Sequence, residues 1–142
     1  MIKSGVVAGT TLAVSMIPGS VSCSSPSDHI GVGLIGCKNM GFSDLKAFLD
    51  EENVTCIALC DIDKKILEER ALDVEKLKSK RPEVFTDFRK LLELKEIDVV
   101  IIGTPDHWHA LMMMMALEAG KHVYVEKPMG HSIDTRRRSS SH

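Results

Sequence analysis

From Ile30 onward the chain alternates between short, continuous apolar runs and segments whose apolar residues recur at helical spacing. The runs IGVGLIG, VTCIALC, IDVVIIG and HVYVE show no regular alternation of apolar and polar residues, which is typical of parallel strands that are covered on both faces. The segments between them predict helices with one apolar face. Strands that alternate with helices predict right-handed crossovers and an α/β fold with a doubly wound parallel sheet.

The predicted helices carry their own start and stop signals. Asp63 and Thr86 precede the second and third helices, where a side-chain oxygen can accept hydrogen bonds from the first free amides. Pro82 ends the second helix and Gly120 ends the fourth, and residues 84–85 predict a short strand between the second and third. The apolar faces of the first three helices are expected to comprise Phe42, Leu45, Phe48 and Leu49; Ile66, Leu67, Ala71, Val74 and Leu77; and Phe88, Leu91 and Leu92.

The length of 142 residues corresponds to at most one ordinary domain, which we place at residues 28–134. Residues 1–27 contain an apolar run that ends at Pro18, shorter than the roughly 20 residues needed to cross a bilayer. This run suits the core of a signal peptide, and a frayed, Ser-rich arm is the alternative. Residues 135–142, TRRRSSSH, form a basic tail without periodicity that we expect to be disordered.

The formal charge of −2, with both signs mixed along the chain, provides no electrostatic reason to expect nucleic acid or an anionic membrane as a partner. Small-molecule ligands are favoured instead. Cys23, Cys37, Cys56 and Cys60 lack the spacing of a zinc or thioredoxin-type site, and we expect no disulfide. Met112–Met115 would point around most of a helix, which favours packing over metal binding.

The stretch GVGLIGCKNMG at residues 31–41 contains a glycine-rich nucleotide-binding pattern in two registers. The register that starts at Gly31 falls inside the predicted strand, too early for the strand-to-helix turn. In the second register Gly36 makes the tight bend and Gly41 lets helix and strand approach closely. Lys38 then replaces the middle glycine, so its side chain must point away, the dinucleotide must shift, or the ammonium must pair with a phosphate. Amides at residues 39–41 still offer an anion site.

Asp61 ends the second strand, about where a carboxylate binds the adenosine ribose hydroxyls of NAD. Helix capping is the alternative role, which Asp63 could fill instead. A carboxylate at this place repels a 2′-phosphate, so NAD is favoured over NADP, although the lysines at 64–65 lie close by. His107 and His109 stand two residues apart and do not share a helix face, so we predict no metal site there.

With these residues placed, the segment from about Ile30 to Ile133 resembles the N-terminal domain of the glucose-fructose oxidoreductase, inositol dehydrogenase and MocA family (Gfo/Idh/MocA). The ordered motifs GLIGCKNMG, ALCDID, VVIIGTPDHWHA and AGKHVYVEKPMGHSI carry the resemblance, which ends near Asp134. The resemblance implies a Rossmann fold that binds NAD(P).

The same resemblance implies roles for two further motifs. Thr104 and Pro105 would line the dinucleotide site and His109 would face it. Lys127 of the EKP motif would be the catalytic residue, placed by the nicotinamide and the reacting hydroxyl, where it can orient the substrate oxygen and help move its proton. The full set of predicted cofactor-binding residues is Gly36, Cys37, Lys38, Asn39, Met40, Gly41, Asp61, Ile62, Thr104, Pro105, His109, Glu126, Lys127 and Pro128.

Complete members of this family continue into a second α/β domain that supplies most substrate contacts, and this chain ends before it. The leading hypothesis is therefore the NAD-binding domain of an oxidoreductase that acts on a hydroxyl of a sugar, cyclitol or related polyol, inactive as a fragment. Two alternatives are an NAD-dependent glycoside hydrolase of the same family and a non-catalytic truncated binding module, which would expose apolar surface and self-associate. Export by a twin-arginine-like leader is expected if the leader functions, and a cytoplasmic location otherwise.

Overall fold

The computed structural model describes residues 29–129. The leader and tail predicted for residues 1–27 and 135–142 lie outside the described residues. The described chain runs in the order β1 (Ile30–Ile35), α1 (Asn39–Leu49), β2 (Val54–Cys60), α2 (Lys64–Lys78), β3 (Glu83–Phe85), α3 (Phe88–Leu92), β4 (Val99–Ile102), a 3₁₀ turn (Asp106–Trp108), α4 (His109–Glu118) and β5 (His122–Val125). None of the helices between residues 29 and 129 is long and apolar enough to cross a membrane.

The strands form a 5-stranded sheet in the order β3-β2-β1-β4-β5, and every neighbouring pair is parallel. The predicted doubly wound parallel sheet is therefore confirmed. The chain moves outward from β1 to β3 and then returns to β4 on the other side of β1, which opens a crevice at the carboxyl ends of β1 and β4. Ile35 pairs with Cys60 and with Ile102, so the loops after β1, β2 and β4 start side by side.

The core consists of two apolar clusters, one on each face of the sheet. Helices α1 and α2 cover one face, while α3 and α4 cover the other. Strand residues therefore meet apolar side chains whichever way they point, which explains the runs without alternation. Leu77 was expected on the inner face of α2 but is 57% exposed. The buried stripe of α2 is Leu67, Ala71 and Val74, and helical periodicity continues it to residue 78 instead.

The two predicted helix caps have different outcomes. Asp63 caps α2, because its Oδ1 accepts hydrogen bonds from the amides of Lys65 at 3.2 Å and Ile66 at 3.4 Å. The prediction for Thr86 is wrong, because the next residue, Asp87, caps α3 and accepts from the Arg89 amide at 3.0 Å. Helix α3 starts one residue later than the pattern suggested, and a carboxylate is the stronger capping group of the two.

Candidate functional site

The loop after β1 is a backbone cradle formed by three glycines. Gly36 has a φ of 90°, in the left-handed region that favours glycine. A Cβ built on Gly41 would lie 2.3 Å from the Gly36 carbonyl oxygen and 3.0 Å from the Gly103 Cα. Helix α1 therefore approaches the ends of β1 and β4 so closely that residue 41 has no room for a side chain. The tight bend at Gly36 and the close approach at Gly41 are as expected. Gly103 was missed, although a glycine directly after an apolar strand is the signal that could have identified it.

Lys38 occupies the place of the middle glycine with an ordinary extended backbone, φ −86° and ψ 157°. Its Nζ lies 3.3 Å from Asp63 Oδ2 in the β2–α2 turn. The exposed side chain thus crosses from the first loop to the second and pairs with a carboxylate. Lys38 is also the N-cap residue of α1 and provides no side-chain cap, so its side chain does not consume the first-turn amides of this helix.

Asp61 ties the end of β2 to the glycine loop. Its Oδ2 accepts from the Cys37 amide at 2.8 Å, and its Oδ1 accepts from the Asp63 amide at 2.9 Å. The carboxylate is half-buried, and each oxygen keeps a lone pair for a further donor. The adjacent Ile62 side chain is 90% exposed. Burial, followed by the charge of Asp61, raises the pKa of the fully buried Cys37 thiol, which leaves it neutral and unreactive.

The loop after β4 continues the same edge of the sheet. The Gly103 amide donates to the Ile35 carbonyl at 2.9 Å, which places Thr104 and Pro105 beside the glycine cradle. The Thr104 hydroxyl contacts Met112 Sδ at 3.6 Å, while Pro105 is exposed. Trp108 is 44% exposed on the 3₁₀ turn that follows.

His109 connects this loop to the turn after β5. The side chain is only 2% exposed. Its Nε2 lies 2.7 Å from the Thr104 carbonyl oxygen and its Nδ1 lies 2.9 Å from the Pro128 carbonyl oxygen. Both ring nitrogens thus lie within hydrogen-bonding distance of backbone oxygens, and a place of the ring beside the dinucleotide stays a prediction.

The turn after β5 carries the EKP motif. The Glu126 amide donates to the Ile102 carbonyl at 3.3 Å, which fixes the start of the turn against β4. Lys127 and Pro128 are exposed and are joined by a cis peptide bond. Within residues 29–129 no three His, Cys, Asp or Glu side chains are grouped so that they could hold a metal ion.

The predicted site residues therefore lie in the loops after β1, β2, β4 and β5 and in the first turns of α1 and α4, along one edge of the sheet. A family model described as an oxidoreductase family with an NAD-binding Rossmann fold, Gfo/Idh/MocA, matches residues 30–139. The chain belongs to the Gfo/Idh/MocA family. The expected family and fold are confirmed, and the match extends past Asp134, where the resemblance was expected to end.

Similar proteins fall into two groups. A glycosyl hydrolase family 109 protein from Shewanella baltica is 37% identical over 111 residues, which is 75% of this chain and 24% of the relative. The α-N-acetylgalactosaminidase of Shewanella oneidensis is 36% identical over 109 residues, again 24% of its length. The scyllo-inositol dehydrogenase of Lactobacillus casei, solved with NAD(H) and scyllo-inositol, has a TM-score of 0.71 and 25% identity over 80% of this chain and 32% of that one. The chain spans about a quarter of the length of the two Shewanella relatives.

This Gfo/Idh/MocA domain also contains a carboxyl pair that the sequence did not reveal. The pKa of Asp44 on α1 is raised by burial first and by the neighbouring Glu126 second. Asp44 Oδ2 is shielded from solvent and has no hydrogen-bond partner. Two neighbouring carboxyl groups disfavour ionisation of both, so we expect them to share a proton. The charge of Asp44, together with partial desolvation and Glu126, also raises the pKa of the nearby Tyr124 hydroxyl.

Asp44→Asn is expected to stabilise the domain at neutral pH by about 1 kcal/mol, because the amide can donate to Glu126 without a proton. The raised pKa means that the folded chain binds this proton more tightly than the unfolded chain, so wild-type stability falls as pH rises above the usual range of an aspartate. Below that pH range, wild type and variant should have similar free energies of unfolding. Thermal unfolding at neutral and acidic pH measures both effects, with the exposed Glu52→Gln as control. A variant that is destabilised equally at both pH values would contradict the shared proton.

Proposed function

We propose that this domain holds NAD along the carboxyl edge of the sheet, on the predicted residues of the four loops. The observation that carries the proposal is the glycine cradle, in which a Cβ on Gly41 would lie 2.3 Å from the Gly36 carbonyl oxygen. Such a close backbone approach leaves room at the loop for a pyrophosphate. The first-turn amides of α1, from Asn39 to Gly41, lack a side-chain cap from Lys38 and provide the positive end of a helix dipole for the phosphates.

The adenosine half of the cofactor is assigned to the loop after β2. Asp61 would accept hydrogen bonds from the ribose hydroxyls with the lone pairs that its two backbone contacts leave free. The exposed Ile62 and Met40 side chains provide apolar surface for the adenine. A 2′-phosphate would meet the Asp61 carboxylate, which favours NAD over NADP. Lys38 is held at 3.3 Å by Asp63, so it offers an ammonium to the phosphates only by leaving that carboxylate.

The nicotinamide half is assigned to Thr104 and Pro105 on one side and to the Glu126–Pro128 turn on the other. In this place NAD would supply the acceptor for a hydride from a carbon that carries a hydroxyl group. The exposed Lys127 side chain would donate a hydrogen bond to the substrate hydroxyl oxygen, and in its neutral amine form it would accept the hydroxyl proton as the hydride leaves the carbon. For the longer protein that contains such a domain, we propose hydride transfer between NAD and a hydroxyl of a sugar, cyclitol or related polyol.

Cleavage of a glycosidic bond by transient use of NAD is the second candidate. It is favoured by the glycosyl hydrolase family 109 relatives, which are 37% and 36% identical to this chain. Both candidates begin with removal of a hydride from a hydroxyl-bearing carbon and would use Lys127 in the same way. They differ in whether the hydride leaves with NADH or returns to the sugar within one turnover. Accumulation of NADH with a polyol would support the first, and release of an aglycone without net NADH the second.

Calorimetric titration of the 142-residue chain with NAD and NADP tests the binding proposal. We expect saturable binding of NAD at a single site and at least roughly tenfold weaker binding of NADP, because one unscreened repulsive contact of about 1.4 kcal/mol produces this difference. Circular dichroism establishes that the sample is folded. The proposal would be refuted by a folded chain that gives no binding heat with either dinucleotide at several temperatures.

A further inference from the structure

We propose that His109 is a positioning residue whose ring clamps the Thr104 loop to the Lys127 turn. The clamp is a property of the described chain. Its consequence for the nicotinamide rests on the proposed function above.

The clamp follows from the two partners of the ring. His109 Nε2 lies 2.7 Å from the Thr104 carbonyl oxygen, and Nδ1 lies 2.9 Å from the Pro128 carbonyl oxygen. A carbonyl oxygen can only accept, so a ring N–H donates to the carbonyl oxygen that faces it. The ring fills the space between the two backbone segments and directs one nitrogen at each of them.

Burial makes the arrangement specific. The ring is 2% exposed, so water cannot replace either carbonyl as a partner. A buried polar group that loses its hydrogen-bond partner keeps the full cost of its removal from water. The ring therefore holds both oxygens at fixed positions, and the two backbone segments cannot separate without breaking a hydrogen bond.

The clamp joins the loops that follow two neighbouring strands. Thr104 follows β4 and Pro128 follows β5, and the strands pair in parallel up to Ile102 and Val125. Beyond that point the ladder ends, and the Lys127 side chain is exposed. His109 is the first residue of α4, so the helix that covers the sheet also anchors the turn. The clamp thus determines the separation between the Pro105 surface and the Lys127 backbone, which is the space assigned to the nicotinamide.

This geometry predicts that the clamp affects only one half of the cofactor. The adenosine and phosphate groups are assigned to the loops after β1 and β2, whereas the His109 ring contacts the carbonyl oxygens of the loops after β4 and β5. ADP-ribose contains those groups and lacks the nicotinamide. The ratio of NAD affinity to ADP-ribose affinity therefore reports on the clamp, and a general loss of fold would lower both.

The experiment compares the wild-type chain with His109→Phe, which keeps a ring without donors, and His109→Gln, which keeps one amide donor. We expect His109→Phe to lower the NAD to ADP-ribose affinity ratio roughly tenfold, as for one lost hydrogen bond, and His109→Gln to recover part of it. His107→Gln is the matched control, because His107 is exposed on the preceding turn, and it should leave the ratio unchanged. Nitrogen-15 NMR of the wild-type chain should show a His109 ring N–H that exchanges slowly with water, because it donates to a carbonyl oxygen inside the domain.

The proposal would be overturned by a His109 ring N–H that exchanges as fast as that of the exposed His107, or by an unchanged ratio in a folded His109→Phe variant. If His109→Phe does not fold, the His109→Gln ratio and the ring spectrum of the wild-type chain decide the question. If the folded wild-type chain binds neither NAD nor ADP-ribose, the proposed function is refuted instead, and the ring spectrum alone then decides whether the clamp exists.

Discussion

Asp61→Ala is expected to weaken NAD binding by about two orders of magnitude. Two contributions add. The ribose hydroxyls lose hydrogen bonds to a charged acceptor, each worth about 1.5–3 kcal/mol, and each 1.4 kcal/mol corresponds to about a tenfold change in affinity. The Cys37 amide also loses its acceptor at 2.8 Å, so the glycine loop becomes less well ordered. Calorimetric titration with NAD measures the effect.

Asp98→Ala is the matched control for this substitution. Asp98 Oδ2 accepts from the Gly31 amide at 2.8 Å, which is the same contact as that of Asp61 with Cys37 but at the amino end of β1. Removal of either carboxylate should lower the unfolding temperature, whereas only Asp61→Ala should change the affinity for NAD. Asp61→Ala should lower the affinity for NADP less than the affinity for NAD, because the variant also removes the repulsion between the carboxylate and the 2′-phosphate. NAD binding within a few-fold of wild type would show that the ribose does not bind at Asp61.

Gly41→Ala is expected to destabilise the domain by about 3 kcal/mol or more. The new Cβ would lie 2.3 Å from the Gly36 carbonyl oxygen and 3.0 Å from the Gly103 Cα, and both atoms belong to backbone that cannot rotate away. Helix α1 must then move off the sheet. A loss of this size is a large part of the roughly 5–15 kcal/mol by which domains are stable, and denaturant unfolding measures it. The displaced α1 should also lose NAD binding.

Two other glycines separate this steric effect from the general effect of replacing glycine. Gly120 has a φ of 73° and no atom within 4 Å of a built Cβ, so Gly120→Ala should cost only the left-handed backbone penalty of about 1–2 kcal/mol. Gly33→Ala would meet the flexible side-chain ends of Ile97 and Leu91 at 2.9 Å and should be intermediate in its effect. Equal losses for Gly41→Ala and Gly120→Ala would mean that α1 can move away from the sheet without much loss of free energy.

The amino-acid sequence by itself determined the fold class and the place of the site. Apolar runs without alternation require cover on both faces, and the loops that follow such strands must share one edge of a parallel sheet. Local chemistry determined the Asp63 cap, the tight bend at Gly36 and the correct glycine register. These features depend on residues that are neighbours in the chain, so their spacing is visible in the sequence. The motifs that resemble Gfo/Idh/MocA proteins added the family, which the comparison with known proteins confirmed.

Only the tertiary structure decided which of these residues meet. Gly103 completes the cradle, Lys38 pairs with Asp63, and Asp44 lies near enough to Glu126 for its pKa to be raised, although each pair is far apart in the sequence. The structure also places the His109 ring between the carbonyl oxygens of Thr104 and Pro128, and its expected place beside the cofactor stays a prediction. Such contacts depend on the distances between loops from neighbouring strands. Those distances are determined by sheet register and helix packing, and no local pattern of residues specifies them.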